Sequence, residues 1–172
     1  ALQVALLTAV NLAHKSFSAA VPVRASDGVW DAACVTALSA KSTVGEALQE
    51  IGAVRAASDQ GQGLRLLIGD VQGEARALRI TFDGWRVGVG PAASMERMKE
   101  RPYCMLAPLA AAAVAVGEAF SAWANISVEA TRKKIAFSLW RPDLDVDLEE
   151  ALGEPMTEFP RKVELFGLGH LG

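Results

Sequence analysis

Cysteine and histidine are scarce: Cys34, Cys104, His14 and His170 are the only ones among 172 residues. Two cysteines so far apart make no disulfide framework, and no Cys or His pair stands at zinc-ligand spacing. Neither a secreted scaffold nor a structural metal site is expected, and the composition fits a reducing, cytoplasmic setting. Positive charge is in the minority, with 17 Lys and Arg scattered among 20 Asp and Glu. The chain therefore lacks the basic stripe that would hold a phosphate backbone, and nucleic acid is not an expected partner. An unbroken apolar span is missing too. Residues 1–17 are interrupted by Gln3, Asn11, His14 and Lys15 and lack both a basic start and a cleavage site. Residues 104–124 are mostly alanine, contain Pro108 and carry Glu118, too interrupted for a bilayer core of roughly 30 Å. The first reads as an amphipathic helix and the second as a buried core helix, with no membrane contact expected.

What is present suits about one ordinary globular domain, since 51% hydrophobic content can build a core. Leu2, Leu6, Ala9, Val10, Ala13 and Phe17 recur at three- and four-residue spacings and predict one helical stripe. A short strand is expected at 21–25, and helical spacing over 44–57 with Gly52 as a stop. The polar stretch 59–63 reads as a surface turn and 64–70 as a strand. Residues 77–82 and 85–90 flank Asp83-Gly84, a pair that supplies the positive φ of a two-residue hairpin turn. Leu78, Ile80, Phe82, Val87 and Val89 give that hairpin one apolar face, which the N-terminal helix and the alanine-rich helix at about 102–125 would cover. A further strand is expected at 134–140. The fold class is therefore α/β, a mixed sheet whose hairpin lies under two helices.

Residues 141–159 are acidic and punctuated by proline, and read as a linker with one short helix, Asp147 and Glu150 as its capping pair and Gly153 as its stop. This divides the chain into an N-terminal α/β domain, 1–159, without catalytic residues of its own, and a segment, 160–172, that opens a second unit. There the apolar run Val163 to Phe166 leads into Gly167-Leu168-Gly169-His170-Leu171-Gly172, a match to G-x-G-x-x-G. Gly167 would allow the tight turn, Gly169 the approach of backbone amides to a phosphate, and Gly172 close packing of helix on strand. The helix, second strand and ribose-binding acid that would complete the motif are expected beyond Gly172, so the segment alone would hold no cofactor.

The remaining polar residues read as structural. His14 and His170 have no partners for a metal. Cys34 and Cys104 have no local base, and free cysteine is usually a small buried hydrophobe. Asp143, Asp145 and Asp147, with Glu154, are spaced like a calcium loop but have Leu148 where a glycine is required. Glu118 is expected at a helix edge, facing solvent or an arginine, and Trp30, Trp85, Trp123 and Trp140 as separate core anchors.

The closing strand and GLGHLG turn resemble the start of the adenylation domain in ThiF and MoeB-type proteins. RPYCMLAPLAAAAVAVGEAFSAW, residues 101–123, is similar to a late helix of such domains, which runs from a proline-containing stretch through small residues to a glutamate and an aromatic. The resemblance implies that 1–159 is a degenerate Rossmann/ThiF-like half without its own glycine loop, ahead of an intact copy. It further implies ATP as cofactor of the full-length protein, Gly167, Gly169 and Gly172 as its nucleotide loop, a small ubiquitin-like protein as partner, and pairing of adenylation domains, including homodimers. No arginine, lysine or magnesium-binding aspartate of the family can be matched, and its zinc-binding cysteine pairs are absent. Two other readings stay open: an N-terminal domain of a NAD(P)- or FAD-dependent oxidoreductase, which uses the same glycine fingerprint, and an interaction module without nucleotide.

Overall fold

The computed structural model describes residues 1–57, 63–72 and 76–158. The expected surface turn at 59–63 therefore lies almost wholly outside the described residues, and the strand and glycine loop at 160–172 lie outside them entirely.

Helix α1 (Leu2–Phe17) ends where Ser18 turns left-handed, with φ 49°. It is buried on two sides rather than along one stripe. Ala5, Ala9 and Ala13 join the main core, Leu7 and Val10 join a smaller one, and Leu2 is exposed. The smaller core lies under a two-stranded parallel sheet, β1 (Val21–Val23) and β2 (Ala53–Arg55). Helices α2 (Asp27–Trp30) and α3 (Val44–Glu50) bridge those strands, and Trp30, Val44, Ala47 and Leu48 fill the space beneath them. The helical pattern expected over 44–57 thus splits in two. A capping box starts α3, Thr43 accepting from the Glu46 backbone N–H while the Glu46 carboxylate accepts from the Thr43 N–H. Gly52, with φ +94°, ends the turn after α3, and the next three residues pair with β1 instead of coiling on.

The main sheet has the order β3 (Arg65–Ile68), β4 (Ala77–Asp83), β5 (Arg86–Pro91), β6 (Ile135–Ser138), with β3–β4 parallel and the other pairs antiparallel. This is a mixed α/β architecture with a mixed sheet. The hairpin turn is displaced by one residue from its expected position: Asp83 pairs with Arg86, and Gly84-Trp85 form the turn. Gly84, with φ +61°, occupies the first turn position, where a side chain would be strained.

Helix α4 (Leu106–Trp123) covers one face of the hairpin, beside α1. Among the described residues it alone is long and apolar enough to cross a bilayer. Here Ala107, Ala111, Ala112, Ala115 and Val116 bury their side chains against Leu78, Ile80, Phe82, Val87 and Val89. Alanine favours the helix and keeps its axis close to the sheet, while Pro108 sits in the first turn, where no intrahelical N–H is required. Phe17 stacks edge-on against Trp123 at 5.7 Å, so α1 and α4 run side by side with their C-terminal ends together.

The other face of the hairpin is not solvated, contrary to the simple alternation. The chain from Ala92 to Met105 crosses it, with Met95 and Met98 over Gly88, where a Cβ would collide with both. Every residue of β4 is buried. The sheet consequently has two distinct ends. The hairpin end holds the turn, the close of β3 and β6 and the start of α4. The far end holds the close of β5 and α4 and the start of β6.

Candidate functional site

Seen along β4, Arg79, Thr81 and Asp83 alternate with the apolar core residues and point into the layer made by the crossing segment. Buried polar groups there need partners, and each has one. Arg79 donates to the Gly69 and Val71 carbonyls at 3.3 and 2.9 Å, fastening the exit of β3. Thr81 Oγ1 accepts from the Met98 N–H at 2.8 Å. Asp83 accepts from Arg101 three times, from its backbone N–H at 3.0 Å, Nε at 2.8 Å and Nη2 at 2.6 Å. Burial alone would raise the Asp83 carboxyl, but the hydrogen bonds and charge of Arg101, with Arg86 beyond, outweigh it and hold the group below the usual carboxylate range. The Arg101 guanidinium also lies 5.5 Å from the Tyr103 ring.

The stretch read as a linker is fastened to this same end. Ser138 donates to the Ala151 carbonyl at 2.6 Å, Arg86 Nη2 to Leu148 at 2.6 Å and Trp85 Nε1 to Glu154 at 2.6 Å. Backbone bonds run from Trp85 N to the Leu152 carbonyl at 2.9 Å and from Met156 N to Tyr103 at 2.9 Å. Between them a 3-10 turn, Glu149–Leu152, buries Ala151 and Leu152, and Gly153, with φ +70°, ends it as expected. The expected Asp147–Glu150 cap does not form: Leu148 is the N-cap, without a side-chain bond, and Asp145 takes the Asp147 N–H instead. The segment 141–158 is therefore a strap closed over the hairpin turn, with the Trp85 and Trp140 rings in tilted contact, their centroids 5.3 Å apart.

Chemically this is a junction, in which charges are spent on one another and on backbone groups. Arg97 bonds Glu100 at 3.0 Å and reaches Asp70 at 3.5 Å, and Arg141 draws the exposed Asp143 carboxyl down to about 2 by hydrogen bonding. A shallow depression beside the strap is lined by Trp140, Arg141, Glu149, Glu150, Gly153 and Glu154. Among the described residues, no three His, Cys, Asp or Glu side chains converge on a point that could hold a metal ion.

The residues singled out from the sequence are dispersed. Gly167, Gly169, Gly172 and His170 fall outside the described residues. His14 Nδ1 lies 2.9 Å from the Ala19 carbonyl at the end of α1. Cys104 is buried and Cys34 half-buried, both as free thiols. Glu118 is partly exposed, in keeping with a place at the helix edge, and its carboxylate accepts from the Thr131 N–H at 2.7 Å, closing the loop after α4. Of the four tryptophans only Trp30 is fully buried, with its indole N–H unpartnered and Arg55 5.5 Å from the ring. Trp123 and Trp140 are largely exposed, which corrects their reading as core anchors. The Asp83–Arg101 pair and the strap latches join residues far apart in the chain, and Asp83 sits at the end of β4 rather than in the turn expected at Asp83-Gly84.

The family model described as the BilD N-terminal domain matches residues 1–139. A curated relative, the bacterial E1-like protein BilD of Collimonas sp. (strain OK412), is 36% identical over 175 residues, covering 99% of this chain and 37% of the relative. No solved structure matches the chain.

Proposed function

Because the chain belongs to the BilD N-terminal domain family, with an E1-like protein as its curated relative, we propose that it is the non-catalytic accessory domain of an ATP-dependent adenylating protein. Its role is to support the nucleotide-binding unit that follows. The observation that carries this reading is the match to the BilD N-terminal domain over residues 1–139 and to an E1-like relative of which this chain covers 37%, beside the G-x-G-x-x-G motif at 167–172. The strap adds to it, because residues 148–156 are tied to the hairpin end by main-chain and side-chain bonds.

In this reading Gly167, Gly169 and Gly172 cradle the phosphates of ATP, which supplies an activated α-phosphorus when bound. The acceptor is the C-terminal carboxylate of a small ubiquitin-like protein, and pyrophosphate leaves as the acyl-adenylate forms. The domain itself is a degenerate ThiF-like half, a view supported by its two parallel strand pairs and by the small-residue helix α4 over the sheet.

The decisive experiment extends the chain past Gly172 and measures ATP binding by calorimetry together with exchange of labelled pyrophosphate into ATP. The expected result is ATP binding, exchange that requires a ubiquitin-like protein with a free C-terminus, loss of both in Gly169→Val, and no ATP binding by residues 1–158. Absence of both binding and exchange would overturn the proposal. Heat on titration with NAD(P) or FAD instead of ATP would move the protein to the oxidoreductase reading, and no heat with any nucleotide to a plain interaction module.

A further inference from the structure

The two ends of the main sheet carry opposite charge beside exposed apolar side chains. At the far end α4 runs out into a loop where Trp123, Ile126 and Val128 are 67%, 67% and 80% exposed. Arg132, Lys133 and Lys134 follow, all exposed, with Lys15 in the last turn of α1. The Phe17 and Phe120 rings each lie 5.7 Å from that of Trp123, so the exposed indole packs on the aromatic ends of α1 and α4. The positive charge is notable in a chain of net charge −3. Glu129 offsets part of it, through a 3.2 Å pair with Lys133.

At the hairpin end the strap alternates acid and apolar residues, Asp143-Leu144-Asp145-Val146-Asp147-Leu148, and continues with Glu149, Glu150, Glu154 and Glu158. Seven carboxylates lie along this segment, against Arg141 and the Arg86 guanidinium that bonds the Leu148 carbonyl, and Leu148 and Trp140 are 47% and 50% exposed among them. The two surfaces lie at opposite ends of β6, which starts beside the basic loop and ends at the strap. At about 3.3 Å per residue and 1.5 Å per helical residue, the sheet and α4 hold them roughly 20 Å or more apart. A molecule cannot satisfy one with the other.

We infer that this chain associates head to tail, the basic, tryptophan-bearing loop Trp123–Lys134 of one copy docking on the acidic strap Asp143–Glu154 of a second. Charge complementarity steers the approach, and the exposed Trp123, Ile126 and Val128 on one side and Trp140 and Leu148 on the other supply the apolar contact. An interface between two different patches is heterologous, so each copy keeps one free head and one free tail, and assemblies grow unless the ring closes.

Light scattering of the purified chain across a concentration series tests this. At low salt the mass is expected to rise with concentration; at about 1 M salt, where screening length has fallen to roughly 3 Å, it returns to the monomer. Neutralising the head (Arg132→Gln with Lys133→Gln) or the tail (Asp147→Asn with Glu150→Gln) abolishes association of each variant alone. An equimolar mixture of the two regains it as a 1:1 pair that does not grow, because only one intact head and one intact tail remain. A wild-type chain that stays monomeric throughout overturns the inference. So does association that withstands high salt, or a mixture that stays monomeric while both variants keep the wild-type circular dichroism spectrum.

Discussion

Asp83 and Arg101 are joined by three hydrogen bonds from one residue to one carboxylate, and this pair closes the layer over the outward face of β4. The carboxylate is nearly inaccessible, whereas the guanidinium is 34% exposed. Removing the acid strands a partly hydrated cation, and removing the base strands a buried anion. Asp83→Asn is therefore expected to cost about 2 kcal/mol and Arg101→Met about 3 kcal/mol or more, towards the range for a broken buried pair. Urea unfolding followed by circular dichroism measures both.

The same pair sets an acid limit on stability. Asp83 titrates in the fold below its unfolded value of about 3.9, so its contribution is complete above that value and is lost as pH falls through the folded one. Wild type is expected to lose stability below about pH 4 more steeply than Asp83→Asn, whose residue 83 cannot titrate. Parallel pH profiles for the two proteins would refute this.

Trp85 fastens the strap through its ring and its N–H. Trp85→Phe keeps most of the ring and drops the bond to Glu154, at a cost of about 1 kcal/mol. Trp85→Ala also removes the tilted ring contact with Trp140 and the surface under Gly153. A glutamate-specific protease is expected to cut at Glu149, Glu150 or Glu154 slowly in wild type, faster in Trp85→Phe and fastest in Trp85→Ala. Equal cleavage rates in all three would show that the strap is not held by this residue.

Ala111 lies against the hairpin with no exposed surface. Ala111→Leu should cost about 1–3 kcal/mol through overpacking, because the helix must lift from the sheet or the new side chain must leave its rotamer. The thermal midpoint reports it, and an unchanged midpoint would mean that α4 approaches less closely than described.

Thr43→Ala removes one arm of the capping box and should cost about 1 kcal/mol. Amide exchange localises the effect: faster exchange in α3, with the main sheet unchanged, is expected because the two cores are separate clusters.

Much of the architecture was legible because local rules and burial agree. The alanine helix, the two hairpin strands, β3, β6 and the N-terminal helix all stand within a few residues of where periodicity places them. The exceptions share a cause. The strand β2 was hidden because three residues carry no period of their own and pair only with the distant Val21–Val23. The turn shifted from Asp83-Gly84 to Gly84-Trp85 because Asp83 is drawn inward by Arg101, eighteen residues on. The strap looked like a linker because acid and proline mark it, while its fastenings use main-chain carbonyls that any sequence possesses.

By itself the chain's residue order determined most of the segments that coil or extend, the apolar side of the hairpin, and a glycine motif pointing to a nucleotide. Those follow from neighbours a few positions apart. Only the tertiary structure decided that β4 is covered on both faces, that its polar residues clamp a crossing segment, and that the acidic stretch folds back onto the turn. These outcomes depend on partners such as Trp85 and Glu154, 69 residues apart, whose meeting is set by how the whole sheet closes and not by any local pattern.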